Sequence, residues 1–206
     1  MREDYGLYQA YLGELETTLK NLPIAQAERA AEIIFEAYVS HHTLFLFGNG
    51  GSAALASHMA ADLGKGTHQP GPAWMAPVRR LKVLAVTDNT PVISAWANDT
   101  HYEQVFARQM ENFITDGDVA FAISGSGNSP SVLRALELAR EKRASTIGLG
   151  GFEGGKMKPL LDCPIIVPSN NMQRIEDAHL ILAHMIFLDL KRRVEDEARK
   201  SVAAAK

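Results

Sequence analysis

The stretch Thr43-Leu44-Phe45-Leu46-Phe47-Gly48-Asn49-Gly50-Gly51-Ser52-Ala53-Ala54-Leu55-Ala56-Ser57-His58 decides the fold. Five residues of nearly continuous apolar character give way to five small polar ones, and a segment of helix length follows. An apolar run without alternation suits a strand covered on both faces, as in a parallel sheet. The same order recurs along the chain. Strands are predicted at Thr43–Phe47, Lys82–Val86, Asp118–Ile123, Thr146–Leu149 and Pro164–Val167, and each of the first four precedes Gly, Ser, Asn or Asp and then a helix-length segment. This alternation predicts an α/β fold: a three-layer α/β/α sandwich on a five-stranded parallel sheet.

Outward from these units, two helices precede the first strand. Tyr8, Tyr11, Leu12 and Leu15, then Ala30, Ile33, Ile34 and Ala37, keep helical spacing, with a break near Asn21-Leu22-Pro23. At the other end, no Gly or Pro interrupts Met172 to about Ala198, which predicts one long helix with a frayed basic tail from Arg199 to Lys206. His68–Val78, with Pro70, Pro72 and Pro77, reads as an irregular loop. There is no internal repeat, so residues 1–206 are expected to form a single domain.

Twenty-one Lys and Arg stand against 24 Asp and Glu, a formal net charge of −3. That balance argues against a nucleic-acid or anionic-membrane surface, and any phosphate has to be bound locally. Cys163 is the single cysteine, which excludes an intramolecular disulfide and CxxC metal or redox chemistry. No secretory signal pattern and no apolar run of spanning length occurs, so the expected location is cytoplasmic.

In an open parallel sheet, ligands collect beyond the C-terminal ends of the strands. Gly48-Asn49-Gly50-Gly51-Ser52 falls there, its glycines permitting close backbone approach and its amides free to face an anion. The same residues also suit a tight strand-to-helix turn capped by Ser52. After the third strand comes Ser124-Gly125-Ser126-Gly127-Asn128-Ser129-Pro130, where three hydroxyls and several amides at one helix start can satisfy the terminal oxygens of a phosphomonoester. A Gly/Ser turn in which Ser129 caps a helix beginning with proline is the alternative. A further group carries imidazole and carboxylate. His58 and Asp62 are four apart on one helix face, and Glu176, His179 and His184 lie on the last helix. Such groups ligate Zn²⁺ or move protons, although an i, i+4 His/Asp pair is also an ordinary surface contact.

In order along the chain, Gly48–Ser52 with Ala56-Ser57-His58, Asn98-Asp99, Ile123–Ser129, Arg174-Ile175-Glu176-Asp177-Ala178-His179 and His184 resemble the sugar isomerase (SIS) domain family, and more closely its phosphoheptose isomerases. The resemblance covers essentially the whole chain. It implies a flavodoxin-like SIS fold and interconversion of sedoheptulose 7-phosphate and D-glycero-D-manno-heptose 7-phosphate through an enediolate. It also implies a phosphate cradle at Ser124, Gly125, Ser126 and Ser129, with Asn49, Gly50, Gly51, Ser52, Asn98, Asp99 and Glu176 around the sugar. By the same resemblance His58, Asp62, Glu176 and His184 fall at zinc ligands, with Asp62 and His184 the acid/base pair. A homotetramer with sites between subunits follows, the N-terminal helices (residues 1–40) serving assembly.

Two departures bear on the site. Asp62 stands where the family usually has Glu, one methylene longer, and Glu176 stands where it usually has Gln. The loop reads Ser-Gly-Ser where Ser-Thr-Ser is common. An alternative within the family is a non-catalytic phosphosugar-binding regulator, or a tetrameric adaptor of the replication-initiator-binding type, which Ala53-Ala54 resembles. Ionisable side chains at both Asp62 and His184 favour the enzyme. Of the remaining residues, His41 and His42 are expected to end the second helix, Arg79-Arg80 to be solvated, and Trp74 and Trp96 to lie in the core or an interface; nothing in the sequence fixes whether His101 and Tyr102, just after Asn98-Asp99, approach the sugar.

Overall fold

The computed structural model describes residues 4–67 and 79–204; the His68–Val78 loop, with Trp74, lies outside them. Two helices, α1 (Asp4–Lys20) and α2 (Ile24–Val39), lead into β1 (Thr43–Gly48), α3 (Gly51–Ala61), β2 (Lys82–Ala85), α4 (Thr90–Asp99), the short α5 (Ala107–Met110), β3 (Val119–Ile123), α6 (Pro130–Glu141), β4 (Ser145–Gly150), β5 (Cys163–Ile166) and α7 (Met172–Ala204). The five strands form one sheet in the order β2-β1-β3-β4-β5, every pair parallel. Each predicted strand is present within a residue or two of its expected bounds.

Residue alternation sorts the sheet into two cores. Leu44, Leu46, Phe121, Ile123, Ile147, Leu149 and Ile165 face α2, α3 and α7. Phe45, Phe47, Ala120 and Ala122 face the other way, against Val105, Phe106, Val132 and Leu136. Trp96 packs against this second core. β1 and β3 are neighbours from which the chain proceeds in opposite directions, β1 to β2 on one side and β3 to β4 on the other. This is the switch point at which doubly wound sheets open a crevice. Both Gly/Ser loops leave the sheet there.

Three expectations are corrected. β4 is followed by a 3₁₀ turn, Gly155–Leu160, instead of a full helix. Gly154 and Gly155 take positive φ (88° and 56°), and Pro159 supplies no amide for a helical bond. α7 continues through Arg199 to Ala204, helped by the Arg199–Asp196 ion pair at i, i+3. Arg79 is not simply solvated: its guanidinium bonds the carbonyls of Tyr38 and Val39 and lies 4.6 Å over the Tyr38 ring. It therefore supplies the cation at the α2 C-terminus. His41, at φ 66°, makes the left-handed turn after the helix, with His42 N bonded to Ala37 O at 2.9 Å.

Candidate active site

The loop after β1 begins with a close approach. A methyl at Gly48 would stand 2.6 Å from the Ile123 carbonyl and 2.8 Å from Ser52 Cβ, so only glycine lets β1 turn beside β3. Gly50, at φ 56°, is the N-cap of α3 and offers no side chain. Ser52 is inside the helix and does not cap it. Asn49 is held from two sides: its Nδ2 donates to Ser131 Oγ at 2.9 Å, and Tyr102 donates its hydroxyl to Asn49 Oδ1 at 2.9 Å. Ser131 is buried in the first turn of α6, so Asn49 ties the two loops together. Neither partner carries a motif signal. The nearness of Tyr102 to Asn98-Asp99 is the only hint in the sequence.

The second loop is tied by its own hydrogen bonds and to its neighbour. Gly127 N donates to Ser124 Oγ at 3.2 Å, and Asn128 N donates to Ser126 Oγ at 3.2 Å. Lys156 N donates to Asn128 Oδ1 at 3.0 Å, joining the loop to the turn after β4. Gly127 has φ 63°, and a methyl there would fall 2.1 Å from the Gly154 carbonyl. Ser129 is the N-cap residue of α6 but makes no side-chain cap bond; its hydroxyl lies 3.5 Å from that of Ser124. The capping alternative is thus not what Ser129 does, and two hydroxyls converge in front of a helix N-terminus, a suitable place for an anion.

α7 joins this loop to the imidazole and carboxylate group. Its first turn abuts the loop, because a methyl at Gly125 would meet Met172 Sδ at 2.4 Å. One turn later the carboxylate of Glu176 lies beside Gly51, 3.6 Å from where a Cβ would be. Further on, His184 Nε2 stands 3.0 Å from His58 Nε2, and Asp62 Oδ2 is 3.2 Å from the same His58 nitrogen. Donor atoms of His58, Asp62 and His184 all lie within 4.8 Å of one another, the one such group among the described residues. Glu176 is not part of it. Gly51, Ser52, His58, Glu176 and His179 line a cleft of about 350 Å³.

Two ligands held by zinc at about 2.0–2.1 Å in tetrahedral geometry stand about 3.3 Å apart. His58 Nε2 has that spacing to both His184 Nε2 and Asp62 Oδ2, the remaining pair lies within 4.8 Å, and the chemistry of the three suits a divalent transition ion. Three side chains would leave a coordination position open, as in catalytic sites. His179 is excluded from this chemistry. It is buried with Nε2 3.0 Å from the Gly150 carbonyl, and desolvation lowers its pKa to about 4, so the ring is neutral near pH 7. Asn98 and Asp99 bond each other at 2.9 Å at the end of α4; it is Tyr102 that reaches the β1 loop.

A doubly wound domain whose hydroxyl-bearing loop meets a helix N-terminus, with a His/Asp/His group along the same cleft, defines an α/β protein with the chemistry to hold an anion and to move protons or hold a metal. The SIS domain matches residues 8–151. Phosphoheptose isomerase of Citrifermentans bemidjiense is 38% identical over 174 residues, 84% of this chain and 86% of that protein. That of Aliarcobacter butzleri is 38% identical over 88% of this chain and 93% of its own. The solved phosphoheptose isomerase of Neisseria gonorrhoeae superposes with a TM-score of 0.79 at 28% identity, covering 90% and 96% of the two chains. The chain belongs to the SIS domain family and, within it, to the phosphoheptose isomerases.

Proposed function

We propose that this protein interconverts sedoheptulose 7-phosphate and D-glycero-D-manno-heptose 7-phosphate. The observation that carries the reading is the placement of α7. Its first turn lies on the Ser124–Ser129 loop, while His184 meets His58 and Asp62 further along. Ile175, whose side chain lies against Gly125 of the loop, and His184, nine residues on, are separated by about 13–14 Å along the helix axis, of the order of an extended seven-carbon phosphate monoester. A molecule gripped by its phosphate at Ser124, Gly125, Ser126 and Ser129 can therefore present its other end to the ionisable group. Asn49, Gly50, Gly51, Ser52, Asn98, Asp99 and Glu176 lie in the elements around this path and supply donors and acceptors for sugar hydroxyls.

Aldose–ketose exchange moves one proton between C1 and C2 and another between their oxygens. Asp62 takes the proton from C1 of the ketose and returns it at C2. His184 takes the hydroxyl proton from O1 and delivers it to O2, so the enediolate closes to the aldose with atoms and charge balanced. The Asp62 carboxylate, one methylene shorter than the usual Glu, reaches His58 as it stands. His58, Asp62 and His184 would hold a divalent ion such as Zn²⁺, which supplies Lewis-acid polarisation of the carbonyl. The protein is inferred to be a homotetramer acting in the cytoplasm on a small sugar phosphate, with no nucleic-acid or membrane partner.

The test is turnover. Incubation with sedoheptulose 7-phosphate is expected to yield the aldose, and Asp62→Asn is expected to lower kcat by about 10²–10⁴-fold, the usual worth of a positioned base, while leaving binding of the sugar phosphate within a few-fold. Full activity in Asp62→Asn rejects the assignment. Binding without turnover by the unaltered protein would identify a phosphosugar-sensing regulator instead.

A further inference from the structure

The chain does not leave α3 at Ala61 as a loop. Asp62–Gly66 continues it as one π turn, a rare winding that recurs at functional sites. Asp62 is the first residue of that turn, so its carboxylate is delivered from the α-to-π junction and His58 from the regular helix one turn earlier. Thr67 closes the segment, buried, donating its hydroxyl to the Leu63 carbonyl at 2.6 Å. Two glycines give the turn a bare surface. A methyl at Gly64 would stand 3.1 Å from Val83 Cγ1 on β2, and one at Gly66 would stand 2.8 and 2.9 Å from Cζ and Cε2 of Phe187. Phe187 is three residues beyond His184 on α7, hence on a neighbouring part of the same helix face.

We propose that Gly66 and Phe187 are positioning residues. The Phe187 ring, seated on the bare backbone of Gly66, sets how closely α7 approaches the π turn, and with it the distance of His184 from His58 and Asp62. The inference rests on reading those three side chains as the reacting group. Its physical basis is packing: Phe187 is half-buried, one side of its ring leans on the main core, and the tip of the ring meets Gly66, so an added methyl has to displace the ring or push α7 away from the π turn. The residue one turn back is His184. Its 3.0 Å contact with His58 is at hydrogen-bond distance, where a shift of an ångström ends it.

Gly66→Ala tests this with three readouts: zinc affinity of the metal-free protein, kcat and KM on sedoheptulose 7-phosphate, and the ring-to-ring NOE between His58 and His184, whose centroids lie 5.2 Å apart. Zinc affinity and kcat are expected to fall at least ~10-fold, with KM changed by less than ~3-fold and the NOE lost. Ala forms helix better than Gly, so backbone preference alone would act in the opposite direction. Phe187→Leu removes the ring atoms that meet the new methyl, and the double variant is expected to regain most of the lost affinity, rate and NOE. A Gly66→Ala protein that keeps all three, or a double variant no better than the single one, overturns the proposal. Should Gly66→Ala fail to fold, Phe187→Leu alone decides, with a weakened NOE and at least ~3-fold weaker zinc binding expected; unchanged values overturn it. Absence of turnover or of zinc binding in the unaltered protein counts against the catalytic reading only, because the NOE reports the helix spacing without metal or substrate.

Discussion

His179 and His184 lie five residues apart on α7, and burial divides their chemistry. His184 is exposed beside His58 and Asp62, while His179, at the floor of the cleft, is buried and bonded to the Gly150 carbonyl. Desolvation holds the folded-state pKa of His179 near 4, below the unfolded value of 6.5. Below pH 6.5 the unfolded chain therefore binds the proton that the folded chain refuses. The stability this neutral ring contributes is fully present above about pH 6.5 and is lost as pH falls toward 4, by about 3 kcal/mol in all. Urea unfolding midpoints of the wild type and His179→Gln, measured from pH 7 to pH 4, are expected to show a shallower decline in the variant, since Gln can donate to the same carbonyl and does not titrate. Parallel declines would show that His179 is not the group responsible. Helical spacing from Glu176 does not separate these two histidines; the family resemblance singles out His184, and the hydrogen bond from His179 to the Gly150 carbonyl supplies the physical reason.

The elements that carry the site were legible to different degrees. Strands with both faces covered have little choice of residue, so their apolar runs and the loops after them stood out, and the parallel order placed Gly48–Ser52 and Ser124–Ser129 together at the switch point. The π turn was not legible, because Asp62–Gly66 has no periodicity to distinguish it from a fraying helix, and the neighbours its glycines pack against, Val83 and Phe187, are remote in sequence. Nor was the separation of Glu176 from His58, Asp62 and His184, since helical spacing fixes distances along α7 but not its pitch against α3. The Ser124–Ser129 loop shows what an element adds to its residues: its shape depends on Gly127 at φ 63° passing against the Gly154 carbonyl. Gly127→Ala adds a left-handed penalty to a clash, and the hydroxyls should lose register with the α6 amides. The affinity for sugar phosphate is expected to drop at least ~10-fold, about 1.4 kcal/mol, read as KM, with a smaller change in kcat. An unchanged KM would remove this loop from phosphate binding.

At the scale of the whole molecule, several large apolar side chains on the first and last helices are left exposed. On α1, Leu7, Tyr8 and Leu12 are 69%, 67% and 57% exposed, and on α7 Leu180, Met185 and Leu188 are 42%, 43% and 62% exposed. The helices are joined at polar points, Tyr11 to Asp177 at 2.6 Å and Glu14 to Arg174, which orient α1 on α7 while leaving these apolar side chains uncovered. We propose that these side chains are covered by neighbouring subunits, since contiguous exposed apolar surface marks interaction sites. Leu180 and Leu188 are four residues before and four after His184, so all three share one stripe of the helix. A neighbouring subunit seated on both leucines would also cover His184, excluding water from the His58, Asp62 and His184 group and strengthening its electrostatics. Assembly and activity should accordingly fail together. Leu12→Glu with Leu188→Glu is expected to reduce the mass seen by sedimentation from that of a tetramer to that of smaller species. Helical circular dichroism should persist, and kcat should fall in proportion to the tetramer lost. A variant that dissociates yet keeps its kcat would place the complete site within one subunit, and a wild type sedimenting as a monomer would leave the apolar stripe without its partner.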